Sequence, residues 1–442
     1  MAIVTFVGAG STVFTRNLIG DLVSYTDLSD DLTFRLFDID AERLATSAIV
    51  AKRIVSTVGC GATVESFTDR TAALDGADYV VTMFQIGGFD PSTLIDFDIP
   101  ERYGLEQTIA DTLGIGGVMR GLRTAPVLVD VAHDMERLCP EALLLNYANP
   151  MAINTWAVDA MADVSAVGLC HSVPLTAADL ALDLGLDVDE LDYQVGGINH
   201  MAFFLRLEHE GRDLYPRLKE LFVDPADAPR RGRREMADAV RYEMMRRLGY
   251  FVTESSEHFA EYTPYFIKRD RPDLVDRFQV PLREYVTRCE LQIADWDAQR
   301  ERLEDPSTEL RVRQSGEFAP QIIHSIECDV DRTVYVNVPN RGLIGNLPDA
   351  CCVEVPATVS AAGIVPRAVG DLPPQLVGLI RTNVSVQELV IEALVTGNRE
   401  HVHHAAMLDP HTAAELDLDQ IWSLVDELLA AHGDMIPEPL RS

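Results

Sequence analysis

Residues 3–12 read IVTFVGAGST, an apolar run that ends in Gly8-Ala9-Gly10-Ser11-Thr12. So short a continuous apolar run predicts a strand covered on both faces, and the glycines predict a tight turn into a helix. Backbone N–H groups in such a turn can approach a pyrophosphate closely, helped by the N-terminus of the helix that follows. Val13 stands where the dinucleotide fingerprint has its third glycine, so the position after a first strand and before a helix at about residues 17–25 carries the reading. Gly8, Gly10, Ser11 and Thr12 are expected to hold a nucleotide.

The same rhythm continues outward. Strands are predicted at residues 33–37, 64–67, 79–84, 143–147 and 166–169, with helices at about 41–58, 117–138 and 151–161. Strand and helix alternating in this way give an α/β fold with a doubly wound parallel sheet of Rossmann type, its carboxyl strand ends facing one crevice. From residue 193 the rhythm changes. Residues 193–208 read as one long extended segment turning at Glu210-Gly211, and residues 224–235 as an exposed charged loop. Later helices, at about 237–248, 282–301, 376–396 and 419–432, alternate with strand-like 334–338 and 352–355. A nucleotide-binding domain over residues 1–192 and an α/β substrate domain over 193–442 are expected to enclose a cleft, since the length exceeds what one core usually serves.

Composition narrows the function. The chain has 442 residues, 37 Lys+Arg against 70 Asp+Glu, a formal charge of −33, and 47% hydrophobic residues. Such a polyanion repels phosphate backbones and anionic lipid, which excludes nucleic acid and membrane surfaces as bulk partners. The seven cysteines are scattered without C-x-x-C spacing, so thiols in a reducing cytoplasm fit better than a disulfide scaffold. The N-terminus carries no signal-peptide pattern, no apolar run reaches 18 residues, and none of the three lysines follows a glycine-rich loop. A soluble cytoplasmic protein without a P-loop is expected.

The expected strand ends supply the chemistry. Asp38, after strand two, can accept from both ribose hydroxyls and repel a 2′-phosphate, which favours NAD over NADP; the same residue also suits the N-cap of the next helix. Gln85 opens Gln85-Ile86-Gly87-Gly88 at the switch point, Asp111 lies in a polar glycine-rich segment ahead of Arg120 and Arg123, and Asn149 follows strand five. Strand six ends in Cys170-His171, and His200 closes Gly197-Ile198-Asn199-His200. Cys170 and His200 are candidate ligands of one divalent metal with positions left open for substrate. His401, His403 and His404 sit at helical spacing and are read as helix packing; the vicinal Cys351-Cys352 pair is read as packing too, because a bridge there is strained.

Taken together, GAGST, FDID, QIGG, GLEQTIADTLG, NYANPMA, GLCHSV, GINHMAF, YFVTESSEHFAEYTPYF, NLPDACCVEV and HAAMLDPHTAA run in order from residue 8 to residue 414. The chain resembles the family 4 glycoside hydrolases, most of all the bacterial α-galactosidases (melibiases) of that family. The resemblance implies a lactate/malate dehydrogenase-like architecture, NAD and Mn²⁺ as cofactors, Cys170 and His200 as metal ligands, His171 as proton donor and Tyr262 as base, with Tyr265 three residues on as its competitor. It implies oxidation at C3 of the sugar, removal of the C2 proton, elimination of the aglycone and addition of water, with no net redox change, in place of the usual two carboxylates. Asp111 and Asn149 are then candidates for gripping sugar hydroxyls, and His258 and Glu261 for supporting the site. A small α-galactoside such as melibiose is the implied substrate, and a homodimer or homotetramer the implied assembly. Pro174-Leu175 and Ile115 depart from the melibiase pattern, so an α-glucosidase or α-uronidase stays open. So does a simple NAD-dependent dehydrogenase, which the N-terminal half alone would support.

Overall fold

The computed structural model describes residues 1–232, 235–310, 312 and 314–441. Six parallel strands form its first half: β1 (Ala2–Val7), β2 (Leu32–Phe37), β3 (Thr63–Phe67), β4 (Tyr79–Thr82), β5 (Leu143–Asn146) and β6 (Ser165–Gly168), in the order β3-β2-β1-β4-β5-β6. This is the doubly wound order, and its reversal between β1 and β4 opens the crevice above the carboxyl ends. Covering helices include α1 (Thr12–Ser24), α2 (Ala41–Val58), α3 (Arg70–Leu74), α4 (Leu94–Arg102), α5 (Gly114–Leu138), α6 (Met151–Met161) and α7 (Ser172–Leu184). The predicted bounds of α2 and α6 are met. Local signals explain α2: Asp40 caps it by accepting from Glu42 and Arg43 N–H, and Gly59 ends it at φ +78°.

The second half departs from one expectation. The predicted long strand at 193–208 is a hairpin of β7 (Asp192–Ile198) and β8 (Met201–His209), turned at Asn199-His200, with His200 at φ +65°. A two-residue connection of that kind demands positive φ, which asparagine and histidine tolerate better than branched residues. Instead of forming a separate sheet, these strands extend the first. Strand Arg332–Pro339 pairs antiparallel with β6, opposing Asn337 to Gly168; Cys352–Ser360 follows, then β7, β8 and Phe251–Val252. One hydrophobic core runs through both halves.

The loop at 224–235 is mostly exposed, as expected, with Arg231 set apart. Arg231 is largely covered, pairing with Asp179, Asp183 and Asp238, because a buried guanidinium needs carboxylates around it. Residues 233 and 234 lie outside the described residues. Among the described residues, all seven cysteines are free, Cys351 and Cys352 buried as expected, and no helix is long and apolar enough to cross a membrane. His403 packs on the helix Leu418–His432 through Asp426, 3.0 Å from its Nε2, in keeping with a packing role.

Candidate active site

The nucleotide end is built by β1 and β2. Gly8, at φ +94°, donates to the Phe37 carbonyl at 3.0 Å, and a Cβ there would come within 2.9 Å of Phe84. Gly10 donates to Asp38 Oδ2 at 2.7 Å, and a Cβ on it would meet that same oxygen at 2.7 Å. Both positions need glycine to fit, and the N–H groups of residues 8–11 are bonded internally, which leaves the first N–H groups of α1 to face a ligand. Asp38 Oδ1 accepts from Asp40 N–H at 2.9 Å. The capping of α2 therefore falls to Asp40, and Asp38, half-buried, faces the glycine turn. This arrangement fits a dinucleotide. Ser11 starts α1 without a side-chain cap bond, and Thr12 is buried against Ser47. Gln85 is engaged on both sides of its amide: Nε2 donates to Gly88 O and Thr93 Oγ1, and Oε1 accepts from Tyr285.

Four elements converge beyond the end of β6. Cys170 and His171 leave that strand, His200 sits in the β7–β8 turn, Glu254 follows Phe251–Val252, and the helix Ser256–Glu261 brings His258 and Tyr262. One ligand atom each from Cys170, His200 and Glu254 lie within 4.8 Å of one another; Asp111, His200 and His258 form a second such triple sharing His200. His200 Nε2 stands 3.2 Å from Glu254 and its Nδ1 is 3.0 Å from the Tyr262 hydroxyl. Thiol, imidazole and carboxylate converging on one point suit a borderline divalent cation, so the residues present fit a metal.

Electrostatics point the same way. Burial alone would raise the Glu254 carboxyl, yet His200, His258 and the Ser255 N–H draw it down to about 2. Burial pushes the Cys170 thiol well up, with Glu254 and Glu354 adding to it. Tyr262 is 1% exposed, and burial together with Asp111, Glu261 and Glu254 holds its phenol far above the ordinary 10. Without a cation, then, burial and these carboxylates keep both the thiol and the phenol protonated. Asp111 accepts from Asn149 Nδ2 at 3.2 Å, and His258 and the Arg120 guanidinium keep it ionised despite burial. His171 is different: its side chain is 56% exposed and its Nδ1 lies 3.4 Å from Glu317, whose hydrogen bond raises the imidazole above its usual value.

Several placements were not legible beforehand. Tyr265 is 51% exposed and faces solvent, whereas Tyr262 lines the metal-type cluster. Arg123 is sealed in a bidentate pair with Asp96, beside His432, and does not reach the crevice. Glu261 points away from the cluster to accept from Thr108, Ile109 and Ala110 N–H, fixing the backbone that presents Asp111. Sequence reading missed Glu254 and Glu317. Glu254, His258, Glu261 and Tyr262 recur at helical spacing, a signal that was available for the first; an isolated acid before a helix offers none for the second.

Comparison with known proteins agrees with this geometry. Residues 3–186 match the model of the "Family 4 glycosyl hydrolase" and residues 195–412 that of its C-terminal domain. The chain is 46% identical over 435 residues to an alpha-galactosidase of Bacillus subtilis, spanning 98% of this chain and 99% of that one. It is 33% identical over 447 residues to an alpha-galactosidase of Rhizobium meliloti, covering 98% and 89%. A 6-phospho-alpha-glucosidase from gut microorganisms, crystallised with NAD and Mn²⁺, superposes with a TM-score of 0.76 at 22% identity over 99% of both chains. Malate dehydrogenase of Plasmodium falciparum superposes with a TM-score of 0.51 at 12% identity, over 91% of this chain and 100% of that one, a likeness of fold alone.

Proposed function

We propose, on the premise that this chain belongs to the family 4 glycosyl hydrolases, that its crevice hydrolyses small α-galactosides such as melibiose with the help of NAD and a divalent cation, Mn²⁺ first. One observation carries the chemistry: a phenol 3.0 Å from an imidazole of a Cys–His–Glu cluster, on the sheet edge that also bears a glycine turn closed by an acid. Full-length similarity to α-galactosidases supports the sugar.

Gly8, Gly10, Ser11, Thr12 and Asp38 would hold the nucleotide, with Gln85 at the switch point, and Cys170, His200 and Glu254 the cation. When bound, these groups supply reversible oxidation at C3 and Lewis-acid polarisation of the sugar oxygens, which acidifies the C2–H. The chain's own residues do the rest. Tyr262 removes the C2 proton. It needs positive charge nearby to become phenolate, because burial and three carboxylates oppose ionisation. His171 keeps its proton through Glu317 and, at the exposed mouth, delivers it to the departing glycosidic oxygen. Asp111 and Asn149, already joined to each other, grip hydroxyls of the ring.

Hydrolysis of nitrophenyl α-galactoside is measured against the α-glucoside and α-uronides, with and without NAD⁺ and Mn²⁺. Preference for the galactoside, lost without either addition and accompanied by almost no net NADH, is expected. Stoichiometric NADH accumulation without glycoside cleavage would point to a simple dehydrogenase, and cleavage without NAD⁺ overturns the proposal.

A further inference from the structure

The helix Phe318–Cys328 begins next to Glu317, near the crevice, and runs roughly 16 Å at 1.5 Å per residue to Cys328, its last residue. Four residues before that end stands His324. Residues i and i+4 share a helix face, so an imidazole and a thiol rise side by side. The turn after α1 brings Asp27 against both. His324 Nε2 is 3.0 Å from each carboxylate oxygen of Asp27, and the Cys328 thiol lies beside the same carboxylate. One ligand atom from each of the three residues lies within 4.8 Å of the others. The imidazole is buried and stacked on Tyr25, ring centroids 3.9 Å apart at 12°, so its plane is fixed. Its Nδ1, also buried, has no hydrogen-bond partner among the described residues. The ring can therefore carry its proton there while Nε2 serves as a ligand. Asp27 is 57% exposed, which leaves an open approach from solvent. Arg332 lies over Tyr25 and donates to Ser325 Oγ, close enough to Cys328 that its charge favours the thiolate.

We propose that Asp27, His324 and Cys328 form a second metal site, separate from the crevice, that takes Zn²⁺ through one thiolate, one imidazole and one carboxylate. That donor set is the one Zn²⁺ favours, and three protein ligands leave a fourth position for water. Binding displaces the Cys328 proton to solvent, because the thiolate is the ligand. Burial and the neighbouring carboxylates of Asp27 and Glu327 otherwise keep the thiol protonated. A bound ion would tie the end of α1 to the end of the helix whose other end sets Glu317.

The test titrates Co²⁺, a spectroscopic stand-in for Zn²⁺, into metal-stripped protein and reads the thiolate-to-cobalt charge-transfer band, to which carboxylate and imidazole sites are silent. Cys170→Ser protein, lacking the crevice thiol, should still develop about one band equivalent per chain. Adding Cys328→Ser should abolish it. Asp27→Asn, a change at an exposed side chain, should weaken Zn²⁺ competition for the site tenfold or more. Zinc-soaked crystals should give an anomalous peak between residues 27, 324 and 328. A Cys170→Ser protein with no band, or a double variant that keeps it, overturns the proposal, as does Asp27→Asn binding Zn²⁺ as tightly as the parent.

Discussion

Replacing Asp38 with asparagine separates recognition of the nucleotide from support of the fold. The native carboxylate accepts from Gly10 N–H at 2.7 Å through one oxygen and from Asp40 N–H at 2.9 Å through the other. Each oxygen keeps a further lone pair for a ribose hydroxyl. Asparagine retains one oxygen for Gly10 and removes the charge. Hydrogen bonds to a charged group contribute about 1.5–3 kcal/mol, so NAD⁺ affinity should fall by about tenfold to 150-fold. Losing the negative charge also lifts the repulsion of a 2′-phosphate, so NADP⁺ should lose less than NAD⁺ or gain. Calorimetric titration of the variant with both nucleotides should show the NAD⁺/NADP⁺ preference reduced by at least about tenfold. Asp40→Ala supplies the control. It removes the cap that accepts from Glu42 and Arg43 N–H, at a cost of about 1 kcal/mol in stability, and should leave the preference alone. An unchanged preference in Asp38→Asn, or an equal loss in Asp40→Ala, would refute the assignment.

Three further outcomes are expected. Tyr262→Phe should abolish both glycoside cleavage and deuterium uptake at C2 of sugar released in D₂O, read by NMR, while Tyr265→Phe, altering an exposed ring, should preserve both; C2 exchange surviving in Tyr262→Phe would show that another group is the base. Glu317→Gln should move the alkaline limb of the kcat/KM profile to lower pH, because the hydrogen bond that raises His171 weakens and the donor loses its proton sooner; a limb that stays in place removes His171 from the donor role. Burial raises Glu354 from its ordinary 4.5 to about 8 in the folded chain, so it folds protonated, and its contribution is full below 4.5 and lost as pH rises through 8. Apo Glu354→Gln, neutral in both states, should accordingly gain on the parent's Tm as pH rises from 4.5 to 8 and hold that advantage above 8; an equal pH dependence in both proteins would show that burial does not raise this carboxyl.

Much of the crevice was legible because a parallel sheet delivers its residues at predictable places. Gly10, Asp38 and Cys170 follow strand ends, and a buried strand announces its end by a change from apolar to small or polar residues. His200 was found as a residue type in a motif, but its setting was misread. Alternation across 193–208 looks the same for one long strand as for two joined at a two-residue turn, and only pairing decides between them. Glu254 and Glu317 depend on long-range packing: the first reaches His200 because Phe251–Val252 pairs with β8, the second meets His171 because strand Arg332–Pro339 docks on β6. Arg123 shows the converse. It lies three residues from Arg120 on one helix, yet Asp96 and His432 bury it, and no local pattern distinguishes the two arginines.

The single sheet has a bearing on how the molecule can be cut and recombined. Between residues 186 and 195 the sequence offers a seam between two separately matched segments, but the backbone ladder does not stop there. Severing the chain at that point would leave β6 with an open row of N–H and C=O groups on one fragment and Arg332–Pro339 with its counterpart on the other. Exposed rows of this kind recruit stray strands. Chimeras that exchange halves between relatives will need to reproduce the alignment of Asn337 with Gly168 at the join, and a mismatch of one residue there would turn buried side chains outward along the whole strand. Loops around the crevice are thus the easier ground on which sugar preference can diverge, while the seam itself is held to one registration.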